Sequence, residues 1–139
     1  MVEKHRVLFD LNVILDTLQR REPFYATSAR LLAYAEIQRI EGLVAAHSLT
    51  TLFYLLAKER SPEEARLAVS QLLGFLRVAA VDHETIERAL TLPFRDFEDA
   101  VQMAAAIQAG VDYLATRDIQ DFQPAPFAVI RPAELLTLL

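Results

Sequence analysis

Apolar residues fall in short runs separated by longer stretches with helical spacing. Residues 6–9 form an apolar run that stops at Asp10 and predict a first strand. From Asp10 to Asp16 the chain leaves the strand and begins to turn helical. Pro23 opens a helix through Arg39, with Ala29, Leu32, Ala33 and Ile37 recurring at helical spacing. Gly42 ends it, and residues 43–46 predict a second strand. Ser48 reads as the N-cap of a helix through Lys58. Ser61-Pro62-Glu63-Glu64 supplies a capping serine, a proline at the first helical position and a glutamate three residues after the cap, so a helix runs from there to about Phe75. Residues 77–81 predict strand three, 83–90 a short helix, 112–115 strand four and 127–130 strand five. Pro132 opens a last helix over 133–138.

The segment Asp96-Phe97-Glu98-Asp99-Ala100-Val101-Gln102-Met103-Ala104-Ala105-Ala106-Ile107 is apolar nearly all round behind an acidic front, as an interior helix is. Gly110 ends it. Short apolar strands alternating with helices predict an α/β fold, a three-layer α/β/α sandwich around a central parallel sheet. The 139 residues show no repeat and no linker, so one domain is expected over 1–139.

At 53% hydrophobic residues the chain can bury a sizeable core. Its apolar runs are too short and interrupted to span a bilayer, so no membrane association is expected. Residues 1–6 lead straight into the run ending at Asp10, which does not resemble a secretory signal, and a cytoplasmic protein is expected. Absence of cysteine excludes disulfides and thiolate metal sites. The formal net charge is -5, so a nucleic-acid partner needs a local basic patch or a metal ion.

Ligands of open parallel sheets sit outside the carboxyl ends of the strands. Asp10 closes strand one, Ser48 and Thr51 follow strand two, and Asp118 follows strand four. Asp96 and Asp99, three apart on one face, stand at the tip of the interior helix. In a parallel sheet these positions share one edge. Carboxylates gathered there stay ionised only with a cation present or with raised pKa values. Oxygen-only donors favour Mg²⁺ or Mn²⁺. Each residue also has a plainer use: Asp10 as a turn residue, Asp96 as a helix cap, Asp118 as an ordinary loop residue. Asp121 supports a turn before Phe122. Asp16 and Glu98 read as exposed or as local partners, and His47 and His83 as structural. Arg20-Arg21 and Lys58-Glu59-Arg60 read as solvated surface.

Phe9-Asp10-Leu11-Asn12-Val13-Ile14-Leu15-Asp16, His47-Ser48-Leu49-Thr50-Thr51, Asp96-Phe97-Glu98-Asp99-Ala100 and Thr116-Arg117-Asp118-Ile119-Gln120-Asp121-Phe122 occur in the order of a PIN domain, which the whole chain resembles. The resemblance implies a parallel sheet between helices with an acidic pocket at the strand ends. It implies a Mg²⁺- or Mn²⁺-dependent ribonuclease, with VapC-type toxins of toxin–antitoxin pairs among the family's members. Asp10, Asp99 and Asp118 would be the metal-site acids with Asp96 beside them. Asn12 and Ser48 would be polar supports, and Thr116 would orient the pocket. The family commonly carries an acid at the position matching Thr51; a threonine here lowers the site's charge by one and weakens cation binding.

The resulting expectation is an endoribonuclease acting on single-stranded RNA, with an antitoxin and a second copy of the chain as expected partners. The alternative is a degenerate PIN domain that binds RNA or protein without cutting. A third reading, an aspartyl-nucleophile phosphatase of the haloacid dehalogenase type, is disfavoured because Asn12 stands where that family needs an acid.

Overall fold

The computed structural model describes residues 4–139, so Met1–Glu3 of the amino-terminal segment lie outside the described residues. Among those residues, β1 (Arg6–Phe9), β2 (Glu41–Ala45), β3 (Leu76–Ala79), β4 (Tyr113–Ala115) and β5 (Ala128–Ile130) form one sheet in the order β3-β2-β1-β4-β5. All four neighbouring pairs are parallel. Parallel neighbours need crossovers, and helices supply most of them. α1 (Leu11–Leu18) and α2 (Tyr25–Glu36) join β1 to β2, and α3 (Ala46–Glu59) and α4 (Pro62–Leu73) join β2 to β3. α5 (His83–Thr91) and α6 (Phe97–Ala109) join β3 to β4, a 3-10 turn (Ile119–Phe122) lies between β4 and β5, and α7 (Pro132–Leu136) ends the chain.

Strand side chains alternate between faces, and the core divides accordingly. Val7, Phe9 and Val44 pack with residues of α1, α2, α3, α4 and α7. Leu8, Leu43 and Ala45 pack on the other face with Met103, Ala106 and Phe122. This is the expected three-layer α/β/α sandwich around a parallel sheet. α6 is buried continuously from Ala100 to Ala106, and its alanines let the backbone lie close over the sheet. Gly110 ends it in the left-handed conformation at φ 66°, where a side chain would be strained. Gly42 meets a different demand: a Cβ there would lie 2.6 Å from Leu76 Cδ2 and 2.8 Å from the Ala35 methyl.

Several boundaries differ from the pattern's prediction. The helix expected through Arg39 stops at Glu36, because Gln38 turns left-handed at φ 65°. β2 ends at Ala45, and Ala46, expected in the strand, is already helical. Ser48 is therefore not an N-cap: extended Ala45 occupies that place without a side-chain cap, and Ser48 lies buried inside the first turn. β3 begins and ends earlier than residues 77–81, and α7 spans Pro132–Leu136 rather than 133–138. Asp16, expected exposed or locally paired, is wholly buried on the inward face of α1.

Strands β1, β2 and β3 run outward to one side, and the chain then returns to lay β4 on the other side of β1. The order thus reverses between β1 and β4. Helices diverge above such a point and leave a crevice at the strands' carboxyl ends.

Candidate active site

Asp10 leaves β1 at that reversal, and Thr116 and Asp118 leave β4 beside it. The Asp10 backbone N–H donates to the Ala115 carbonyl at 3.0 Å, which fixes the strand ends together. Asp10 is 5% exposed. Thr116 Oγ1 donates to its Oδ2 at 2.9 Å, and Gln102 Nε2 donates to its Oδ1 at 3.2 Å. Thr116 Oγ1 in turn accepts the Asp118 backbone N–H at 3.0 Å. One hydroxyl thereby ties the two strand ends. Burial pushes the Asp10 carboxyl above the ordinary carboxylate range; Thr116 and Gln102 pull against this, and the Asp118 charge adds to it.

Asp96 caps α6, its Oδ1 accepting the Asp99 backbone N–H at 3.0 Å. Asp99 then sits one turn before Gln102 on the same helix face. Its carboxyl is pushed up to about 7, first by burial, then by the negative charges of Asp96, Asp10, Asp121 and Glu98. A recess of about 140 Å³ is lined by Asp10, Asn12, His47, Ser48, Asp96, Glu98, Asp99 and Gln102, with Leu11 beside them. A second recess of about 420 Å³ takes Asp96, Asp99 and Asp121 into its wall together with Arg95 and Gln120. Asp96 and Asp99 are common to both.

Asp10, Asn12, Ser48, Asp96 and Asp99 thus share one recess. Asp118 lines neither recess: its backbone N–H is tied to Thr116, and its charge acts on Asp10 from beside the site. Thr51 lies at its edge, its hydroxyl donating to Glu98 Oε1 at 3.0 Å. The donor set is oxygen-rich and free of thiolates, as Mg²⁺ or Mn²⁺ prefers. Among the described residues, no three His, Asp or Glu side chains converge tightly enough to chelate an ion by themselves. The acids ring a shared space rather than a single point.

Several neighbours of the site escaped the sequence reading, among them Glu98, read as exposed or a local partner, and His47, read as structural, which both line the smaller recess. Gln102 interrupts an otherwise apolar run and stands three residues after Asp99; that spacing was the available signal. Asp121 acts on Asp99 from a 3-10 turn, whose side-chain direction no simple period gives. Asp16 forms a buried ion pair with Arg117, Nε to Oδ2 3.2 Å, and Arg21 lies 3.8 Å from its other oxygen. The Arg117 guanidinium also lies 4.1 Å over the Phe24 ring centroid. This cluster holds the segment carrying Asp118, so Arg21 is more than solvated surface.

The PIN domain family model matches residues 6–120, and the chain belongs to that family. Its fold is similar to that of several solved structures. VapC20 of Mycobacterium tuberculosis, described as a sarcin–ricin loop cleaving toxin, is 22% identical with a TM-score of 0.71 over 91% of this chain and 99% of that one. A toxin–antitoxin complex from Klebsiella pneumoniae is 21% identical with a TM-score of 0.70, covering 91% and 97%. VapBC2 from Rickettsia felis, bound to a DNA fragment from its promoter, is 16% identical with a TM-score of 0.68, covering 91% and 97%. No protein of curated function is significantly similar in sequence. Among the described residues no helix is long and apolar enough to cross a membrane.

Proposed function

We propose that the chain is a Mg²⁺- or Mn²⁺-dependent endoribonuclease of the VapC toxin type, acting on single-stranded RNA at the acidic recess. The observation carrying this reading is that Asp10, Asp96 and Asp99 line one recess at the strand ends, where burial first and the neighbouring acids second push the Asp99 carboxyl up to about 7. Such crowding opposes folding unless something positive is bound there.

Because the acids ring a space and do not meet at a point, Asp10, Asp99 and Asp118 would hold the cation partly through water, with an RNA phosphate completing its shell, as Mg²⁺ commonly requires. A bound cation supplies Lewis-acid stabilisation of phosphoryl charge and a more acidic water. Thr116 and Gln102 hold both Asp10 oxygens in place, so that carboxylate cannot swing as charge changes. With its carboxyl pushed up to about 7, Asp99 is the acid whose proton a bound cation would displace near neutral pH. The cation also answers the net charge of -5, which alone repels RNA.

The toxin–antitoxin complexes among the fold neighbours support an antitoxin as partner. An arginine would fit the recess as a bidentate partner for its carboxylates. A homodimer is the further expected assembly, by analogy with the family.

The test is cleavage of an unstructured RNA with Mg²⁺ or Mn²⁺, comparing the parent with Asp10→Asn and Asp99→Asn. Cleavage that EDTA abolishes and both substitutions remove is expected. Undiminished cleavage by both variants would refute the assignment. Thr51 motivates the non-cutting alternative, and RNA binding without cleavage in Mn²⁺ would favour it.

A further inference from the structure

We propose that Glu98 is the fourth carboxylate of the site, standing in for the acid absent at Thr51. This deepens the reading of a divalent-cation site and rests on it. Glu98 directly precedes Asp99, and adjacent helical residues point in different directions, about 100° apart at the usual residues per turn. Spacing alone would send it away from the recess. Two contacts from α3 bring it in. Thr51 Oγ1 donates to Glu98 Oε1 at 3.0 Å, a nearer acceptor than the His47 carbonyl at 3.4 Å. His47 Nε2 lies 3.1 Å from the Glu98 backbone oxygen. The position on α3 that lacks a carboxylate is therefore bonded to one delivered by α6, and Glu98 lines the same recess as Asp10 and Asp99.

An independent feature points to a ligand in that recess. Gln102 is 3% exposed and lines it, yet its Oε1 has no hydrogen-bond partner. The amide cannot be turned round to cure this, because Nε2 is held by Asp10 and a flip would set carbonyl against carboxylate. A buried carbonyl without a donor is costly, and a hydrated cation beside the carboxylates would satisfy it. Thr51 is then a positioning residue: it supplies no charge and aims the charge of Glu98.

The experiment is Mn²⁺ binding to the full chain by calorimetry, with thermal melting to verify folding. Glu98→Gln is expected to weaken binding by roughly tenfold or more, the scale of losing a group that tunes a metal site. Thr51→Ser should keep parent affinity, whereas Thr51→Val should lose it in part. The double variant Thr51→Glu with Glu98→Gln should recover binding, because the acid is moved back to α3; a purely structural contact would not be rescued this way. If Glu98→Gln binds like the parent while Asp10→Asn and Asp99→Asn do not, the role of Glu98 is overturned and the cation site stands. If the parent itself takes up no Mn²⁺, both fall.

Discussion

Without a cation, the protein should lose stability as pH rises from 5 to 8, and Asp99→Asn should remove much of that loss. The carboxyl of Asp99 moves from an ordinary 3.8 to about 7 on folding. The folded state therefore binds more protons than the unfolded chain between those values. Stability must fall as pH rises across that window, and the loss is complete above about 7. A shift of roughly three units at 1.36 kcal/mol each sets a ceiling of about 4 kcal/mol. Asp99 is only half-buried, so water softens both the burial penalty and the repulsion, and about 1–2 kcal/mol is the expected effect. For a chain of this size that is a melting shift of roughly 3–10 °C. Asp10 and Asp16 are also shifted upward and add in the same direction, so the variant retains some slope. Asp82 is shifted the other way by its bonds to Thr85, and its contribution is lost only on acidification below the ordinary carboxylate range, outside this window. The assay is thermal unfolding by circular dichroism in EDTA. The parent should melt lower at pH 8 than at pH 5, and Asp99→Asn should melt higher than the parent at pH 8. Equal melting of parent and variant at pH 8 would show that the acids are not in conflict, and the electrostatic reasoning would fail.

Thr116→Val removes the hydroxyl between Asp10 and Asp118. It should cost about 1–3 kcal/mol in urea unfolding and reduce RNA cleavage, since one buried acceptor and one backbone donor lose their partner. Asp16→Asn leaves Arg117 without its charge partner. A loss of about 3 kcal/mol is expected, at the low end for a buried pair because Arg117 keeps some solvent and the Phe24 ring; a melting curve unchanged from the parent would contradict the ion pair. Gly42→Ala should destabilise by about 1–3 kcal/mol through overpacking against Leu76 and Ala35, read as a lower urea midpoint.

The strands and helices were legible because burial imposes a period. Leu8 between Val7 and Phe9, or the unbroken apolar face of α6, writes its environment into residue type. Chain termini of elements were less legible: Ser48 looks like a cap, but the strand-to-helix join lies two residues earlier and needs no side-chain cap. The gathering of Asp10, Asp96 and Asp99 followed from their places after strands and at a helix tip, given the parallel sheet. What composition and spacing did not give was contact between elements distant in sequence. Asp16 meets Arg117 across 101 positions, and Thr51 meets Glu98 across 47. Nothing local marks either pair, because each is set by how two crossovers lie against each other.

The crowding of acids can persist only because their anchors cannot yield. Asp10 extends from a central strand whose Val7, Leu8 and Phe9 are wholly buried. Asp99 stands on a helix fixed along its length from Ala100 to Ala106. Moving either carboxylate a few ångströms outward would open one of the two buried clusters, where a single large side chain is worth about 1.5–3 kcal/mol. That matches or outweighs the screened penalty of about 1–2 kcal/mol, burial and repulsion together, reached above for Asp99. The repulsion is therefore held in place instead of relaxed by movement, and it can be discharged by protonation, by a cation or by a guanidinium. A core rigid on both faces of the sheet is in this sense part of the binding site, since a softer one would let the acids spread and leave a cation little to gain.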